Sequence, residues 1–149
     1  MIREATLIDI SQIIELLKEF FDTADIAKIS EGDIESSTNT ITNLIKNNNM
    51  AIIVMDIDNK IVGCLGVVVI PFYFNSKHLI GHEFFWFVSE KHRGTKESLR
   101  LFNSAEEWAK NHGAKSMMMT SLAYNINSLR NFYRRKKYVE LETSFIRKF

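Results

Sequence analysis

Two periods of apolar residues divide the first half of the chain. From Asp9 onward Ile10, Ile13, Ile14, Leu16, Leu17, Phe20 and Phe21 recur at helical spacing, which predicts an amphipathic helix behind a short first strand in MIREA. Residues 23–32 read as a turn or a short irregular helical piece. Ile34, Ile41, Leu44 and Ile45 predict a second helix over 33–47, stopped by the turn-forming Asn47-Asn48-Asn49. The pattern then changes to β-branched runs, MAIIVMDI and KIVGCLGVVVI, joined by Asp58-Asn59 in the manner of a hairpin, the second run ending at Pro71. Residues 79–88, EFFWFV at their end, are continuously apolar and aromatic and predict a strand buried on both faces.

Helical spacing returns over 95–112, with Leu99, Leu101, Phe102, Ala105, Trp108 and Ala109 on one side and Gly113 as the stop. SMMMTSLAY reads as a strand, with Met117 to Met119 filling core. Residues 127–136 read as a short helix, and 138–149 alternate apolar and polar as a closing strand or hairpin. The order βααβββαβαβ predicts a mixed α/β fold around a largely antiparallel sheet. Residues 1–149 suit a single domain, and 46% apolar content with one proline is the composition of an ordered core.

Charge and special residues narrow the classes. With 19 basic and 18 acidic residues the chain carries a net charge of +1, so bulk charge does not point to nucleic acid or an anionic membrane. No apolar run reaches the roughly 18 residues that span a bilayer, and MIREATLIDI lacks the pattern of a signal peptide, so a cytoplasmic location is expected. Cys64 is the only cysteine and reads as a packed strand thiol. His78 and His82 are four apart, but in a strand that spacing makes no chelate, and no metal site is expected among these or His92 and His112.

The stretch EFFWFVSEKHRGTKESLRLF runs a strand through a polar turn into a helix. Such a junction leaves the first helical N–H groups pointing outward at the positive end of the helix dipole, a ready anion site. VSEKHRGTKESLRLF resembles the signature strand, Arg/Gln-x-x-Gly-x-Gly/Ala loop and helix of the GNAT superfamily of acyl-CoA-dependent N-acetyltransferases. Lys96 stands where the central glycine usually does and Ser98 where the last small residue does. NINSLRNFYRRKKYVELETSF is similar to the family's late helix, with Asn127, Phe132 and Tyr133 in register, Arg130 at a position often alanine, and Lys137-Tyr138 in place of Gly-Phe. REATLIDISQIIELL looks like the opening strand and helix, and the abbreviated loops and C-terminal end look like those of compact phage-type members. The resemblance implies the GNAT fold, a central, mostly antiparallel mixed sheet with helices on both faces. It also implies acetyl-CoA as acyl donor. Its pyrophosphate would lie on the amides of Arg93, Gly94, Thr95, Lys96, Glu97 and Ser98, with Asn127 on the coenzyme, Tyr133 near its sulfur, and a backbone N–H near Phe87 or Val88 as oxyanion donor. Glu97 and the Cβ of Lys96 work against that anion site.

The chemistry asks for a base and an acid. An amine of pKa near 10.4 costs about 4.6 kcal/mol to deprotonate at pH 7. Glu83, set among Phe84, Phe85 and Trp86, is the candidate base, and His82 its competitor. Tyr133 is the candidate acid, acting as a hydrogen-bond donor to the departing thiolate. Arg130, Arg134, Arg135, Lys136 and Lys137, with Arg147 and Lys148, form a solvated basic face, a site for the coenzyme's 3′-phosphate, or a surface for an acidic protein or RNA. Asp22, Asp25, Glu31, Asp33 and Glu35 form an ordinary acidic surface or line a cleft for a cationic acceptor. The expected function is transfer of acetyl from acetyl-CoA to a primary amine on a small molecule, a peptide or protein, or an aminoacyl-tRNA. The alternatives are a non-catalytic acyl-CoA-binding or interaction module of the same fold and a basic RNA-binding module. No membrane partner is expected, tRNA is the one nucleic acid considered, and a homodimer is allowed.

Overall fold

A computed structural model describes residues 1–24, 30–122, 126–147 and 149. Strand β1 (Ile2–Glu4) leads through a short 3-10 turn into helix α1 (Ile10–Thr23), followed by α2 (Ile34–Lys46), β2 (Met50–Ile57), β3 (Lys60–Phe72), β4 (Asn75–Val88), α3 (Lys96–Asn111), β5 (Ser116–Met118) and α4 (Ile126–Arg135). The five strands form one sheet in the order β1-β2-β3-β4-β5. The first four are antiparallel, and β5 joins β4 in parallel. Asp58 and Asn59 both take positive φ, 52° and 63°, and so close the β2–β3 hairpin with the two-residue turn whose twist suits its strands.

Alternation along the central strands divides the core between two faces. Ile52, Val54 and Cys64 pack under α1 and α2 against Ile13, Leu16, Ile41 and Leu44. Ala51, Ile53, Met55, Leu65 and Val67 pack under α3 against Leu101, Ala105, Trp108 and Ala109. This is the mixed sheet with helices on both faces that the sequence leads one to expect. Gly81 permits the close seat of α3, since a Cβ there would lie 2.8 Å from the Ala109 Cβ and 2.6 Å from the Met117 sulfur. Among the described residues no helix is long and apolar enough to cross a membrane.

Five expectations need correction. β3 continues past Pro71 to Phe72, so β4 begins at Asn75 and the pair forms one long hairpin. The aromatic end of β4 is not buried on both faces: Phe84 is 46% exposed, because β5 accompanies β4 only as far as His82. Leu99 lies on the open side of α3, at 43% exposure, one position off the buried stripe. Of the expected strand SMMMTSLAY, among the described residues only Ser116–Met118 pairs, and its last two residues, 123 and 124, lie outside the described residues. The described part of 138–149 forms no strand; Val139, Leu141 and Phe145 stand exposed. Alternation reports that a segment has one apolar face, and it carries no information on whether a partner edge is within reach.

Candidate active site

The site begins where two strands part. β4 and β5 pair through Ile80–Ser116, Gly81–Met117 and His82–Met118, and beyond that point the edge of β4 is open. One residue further on, the β3–β4 register slips. Val67 faces Glu83 while Gly66 faces Phe85, so Phe84 is the extra residue of a β-bulge. A cavity of about 70 Å³ lies here, lined by Phe20 from α1, Glu83, Phe84, Phe85 and Trp86 from β4, Thr120, Ser121 and Leu122 after β5, and Leu129 from α4. A cavity that meets four consecutive strand residues sits on the strand's open edge.

Glu83 is the carboxylate of this cavity and is only 5% exposed. Burial pushes its pKa up, and the hydrogen bonds from Thr120 partly offset that rise. The Thr120 N–H donates to Glu83 Oε2 at 2.9 Å, and the Thr120 hydroxyl donates to the same oxygen. His82, the competing base, is not among the cavity's lining residues.

At the far end of β4 the ladder decides which amides face the opening. Ser89 N–H donates to the Val62 carbonyl at 2.9 Å, so the next pair, Gly63–Val88, turns its backbone groups away from β3. The Val88 carbonyl accordingly accepts from Arg93 Nε at 2.7 Å on that side, and the Val88 N–H points the same way. Phe87, one residue back, directs its N–H at β3. The Arg93 guanidinium, folded back in this manner, also lies 5.2 Å from the centre of the Phe87 ring.

The loop after β4 folds as a helix start. Thr95 caps α3, its Oγ1 accepting from Ser98 N–H at 3.2 Å and donating to the His92 carbonyl at 2.8 Å. Arg93 N–H donates to the Glu90 carbonyl. Two of the six expected anion donors are thus engaged internally, and among the described residues Gly94, Thr95, Lys96 and Glu97 keep amides without an internal acceptor. Gly94 has a φ of 71° and open space around the position of a Cβ, which suits the close approach of a ligand. The donor set fits a phosphate-bearing group.

Helix α4 brings Tyr133 to the same place. Its hydroxyl donates to the Thr120 carbonyl at 2.7 Å, and burial together with the nearby Glu83 charge raises its pKa, keeping the proton on the phenol. Phe132 packs on Trp86 and Phe102 and so fixes the helix. Asn127 is exposed near the start of α4. Among the described residues, three of the five basic residues around its end are in ion pairs: Arg130 and Arg134 with Glu140, at 2.8 and 3.5 Å, and Lys136 with Glu106 at 2.9 Å. Cys64 is fully buried and burial pushes its thiol up to about 12, far from a nucleophile's range. Among the described residues no three His, Cys, Asp or Glu side chains gather to hold a metal ion.

Sequence reasoning missed Thr120, Ser121 and the indole of Trp86. The Ser121 Oγ and Trp86 Nε1 are buried and, among the described residues, have no hydrogen-bond partner; both belong to residues of the cavity wall. No local signal marks them, because their role depends on where β5 leaves the sheet. A sheet parted at its parallel pair, a bulge beside a buried carboxylate and a helix start with open amides thus occur in one mixed α/β fold with helices on both faces. The chain belongs to the acetyltransferase (GNAT) family, whose model matches residues 10–137. No curated protein sequence matches it. Among solved structures it is similar to aminoglycoside acetyltransferase meta-AAC0020 from an uncultured soil metagenomic sample, in complex with trehalose, at 19% identity and a TM-score of 0.77, covering 100% of this chain and 95% of that one. It is also similar to ribosomal-protein-alanine N-acetyltransferase from Brucella melitensis biovar Abortus 2308, at 16% identity and a TM-score of 0.74, with 100% and 98% covered. A predicted acetyltransferase with acetyl-CoA from Clostridium acetobutylicum aligns at 16% identity and a TM-score of 0.78, with 99% and 95% covered.

Proposed function

We propose that the chain is an N-acetyltransferase that moves the acetyl group of acetyl-CoA directly to a primary amine within a ternary complex. The observation that carries this reading is Glu83, a buried carboxylate of raised pKa at the foot of the β4–β5 gap with the Tyr133 phenol joined to the same residue, Thr120. When bound, acetyl-CoA supplies the activated acetyl thioester. The open amides of Gly94 to Glu97 would hold its pyrophosphate, with Arg93 and Ser98 shaping the loop, and Asn127 would contact the coenzyme. The Val88 N–H would polarise the acetyl carbonyl. Glu83 takes the proton of the acceptor amine. Tyr133, whose raised pKa makes full proton transfer more uphill, would turn its one O–H from the Thr120 carbonyl to give the departing sulfur a hydrogen bond instead.

The cavity wall is aromatic and aliphatic apart from Glu83, Thr120 and Ser121, which favours an amine carried on an apolar body over a polycation. The acidic residues considered for a polycation do not strengthen that case: Asp22, Glu31 and Glu35 are exposed, Asp33 caps α2 by accepting from Ser36 N–H at 2.6 Å, and Asp25 lies outside the described residues. Lys96 in place of the loop glycine favours a second reading, a module that binds the acyl-CoA without turning it over. Two measurements separate them. Acetyl-CoA at about one hundred times its dissociation constant stabilises a binder by about 2.7 kcal/mol, a shift of several degrees in Tm. A screen of primary amines for release of free coenzyme A then detects the enzyme; stabilisation with no amine-dependent release selects the module, and no stabilisation removes both.

A further inference from the structure

Among the described residues, Thr120 is the one residue of the site that hydrogen-bonds to both proton-handling groups. Its N–H and hydroxyl both donate to Glu83 Oε2, and its carbonyl accepts the Tyr133 hydroxyl at 2.7 Å. Among the described residues Oε1 of Glu83 has no internal donor. We infer that Thr120 is the positioning residue of this site, holding one carboxylate oxygen of Glu83 so that the other is free to receive the amine proton, and holding the Tyr133 hydroxyl beside it. The inference rests on the acetyltransferase reading above.

The fold explains why this residue falls here. β5 stops pairing at Met118, so the next backbone groups lack a strand partner and must be satisfied some other way. Thr120 gives its N–H to the carboxylate and its carbonyl to the phenol, and its β-branched side chain has little χ1 freedom with which to withdraw the hydroxyl. Two donors on one oxygen favour the charged carboxylate against its burial. The titratable group facing Glu83 is Tyr133 on α4. β3 presents Val67 opposite it, and α1 presents Phe20 to the cavity, neither of which titrates.

The test compares Thr120→Val, which keeps the shape and loses the hydroxyl, with Thr120→Ser, which restores the hydroxyl. With an accepted amine, Thr120→Val is expected to lower kcat/KM about 10- to 100-fold, the scale of one hydrogen bond to a charged group. The acid limb of its pH profile should move to higher pH, the KM for acetyl-CoA should stay put, and Thr120→Ser should recover rate and profile. A wild-type rate and profile in Thr120→Val overturns the inference. So does a Thr120→Ser variant as impaired as the valine one, since the methyl group's packing would then be the cause. Carboxyl NMR of the free protein, with the Glu83 resonance assigned by its loss in Glu83→Gln, gives a readout independent of turnover. Glu83 should titrate at higher pH in Thr120→Val, and an unchanged titration overturns the inference. If the wild-type chain acetylates no amine, the acetyltransferase reading falls while this titration still decides on Thr120.

Discussion

At the scale of single residues, Glu83 sets stability against activity. Its carboxyl is buried and its pKa is raised, chiefly because burial penalises the charged form. A group whose folded-state pKa lies above its unfolded value, near 4.3 for Glu, contributes stability that is full below that value and is lost as pH rises through the folded pKa. Glu83→Gln removes that loss, and its amide oxygen can still accept from Thr120. The variant is therefore expected to melt higher than the wild type at pH 8, with the difference closing toward pH 4, while acetyl transfer falls about 10²- to 10⁴-fold. A melting series over pH checks this, and a variant less stable than wild type at pH 8 would contradict it. Tyr133→Phe separates the other half of the machinery. Losing one donor to developing charge should lower kcat about 10²-fold and leave the KM for acetyl-CoA nearly unchanged. An equal rise in KM would place Tyr133 in binding instead.

At the scale of elements, the start of α3 does two jobs that one cap couples. Thr95 closes the helix by accepting from Ser98 N–H and ties the loop back to His92. Thr95→Ala should cost about 0.5–2 kcal/mol of stability and also weaken acetyl-CoA binding, because the open amides are then no longer held in one arrangement. Thr95→Ser should retain both, and calorimetric titration against unfolding curves distinguishes the effects. Unchanged affinity in a destabilised Thr95→Ala variant would remove the loop from the anion site. This element was legible in the sequence, since strand, polar turn and helix follow one another locally and the apolar stripe of α3 lies at 101, 102, 105, 108 and 109. Glu83 was legible as well, a carboxylate standing in an aromatic run. The bulge at Phe84 and the parting of β5 from β4 were not, because both are properties of register between segments distant in sequence, Gly66 and Val67 against Phe85 and Glu83 for the bulge and His82 against Met118 for the parting. Thr120 and the buried indole of Trp86 depend on that register and so were invisible with it. The exposed apolar residues of 138–149 mislead in the opposite sense, showing strand alternation where no edge is paired.

At the scale of the molecule, one ion cluster joins the N-terminus to the sheet and the helix that reaches the site. Arg3 on β1 meets Asp9, at the start of α1, at 2.7 Å and Asp56 on β2 at 3.0 Å, while Thr6 donates to Asp9 through its N–H at 2.8 Å. α1 then carries Phe20 to the cavity wall. Asp9 is 3% exposed, and the Arg3 guanidinium, with help from Thr6, pulls its pKa down to about 2. For a carboxylate with a depressed folded pKa the stabilisation is present above the unfolded value near 3.9 and is lost as pH falls through the folded value. The difference corresponds to about 2–3 kcal/mol, withdrawn between about pH 4 and pH 2. Asp9→Asn should therefore be less stable than wild type at neutral pH and should unfold with a visibly flatter dependence on pH in that window, as read by urea titrations at fixed pH steps. Because the cluster fixes α1 against β1 and β2, the same variant at neutral pH should loosen the α1 side of the cavity before it disturbs α3. Hydrogen exchange would show this as faster exchange in α1 with α3 unchanged, and uniform acceleration across both helices would mean that the two faces of the sheet unfold as one unit.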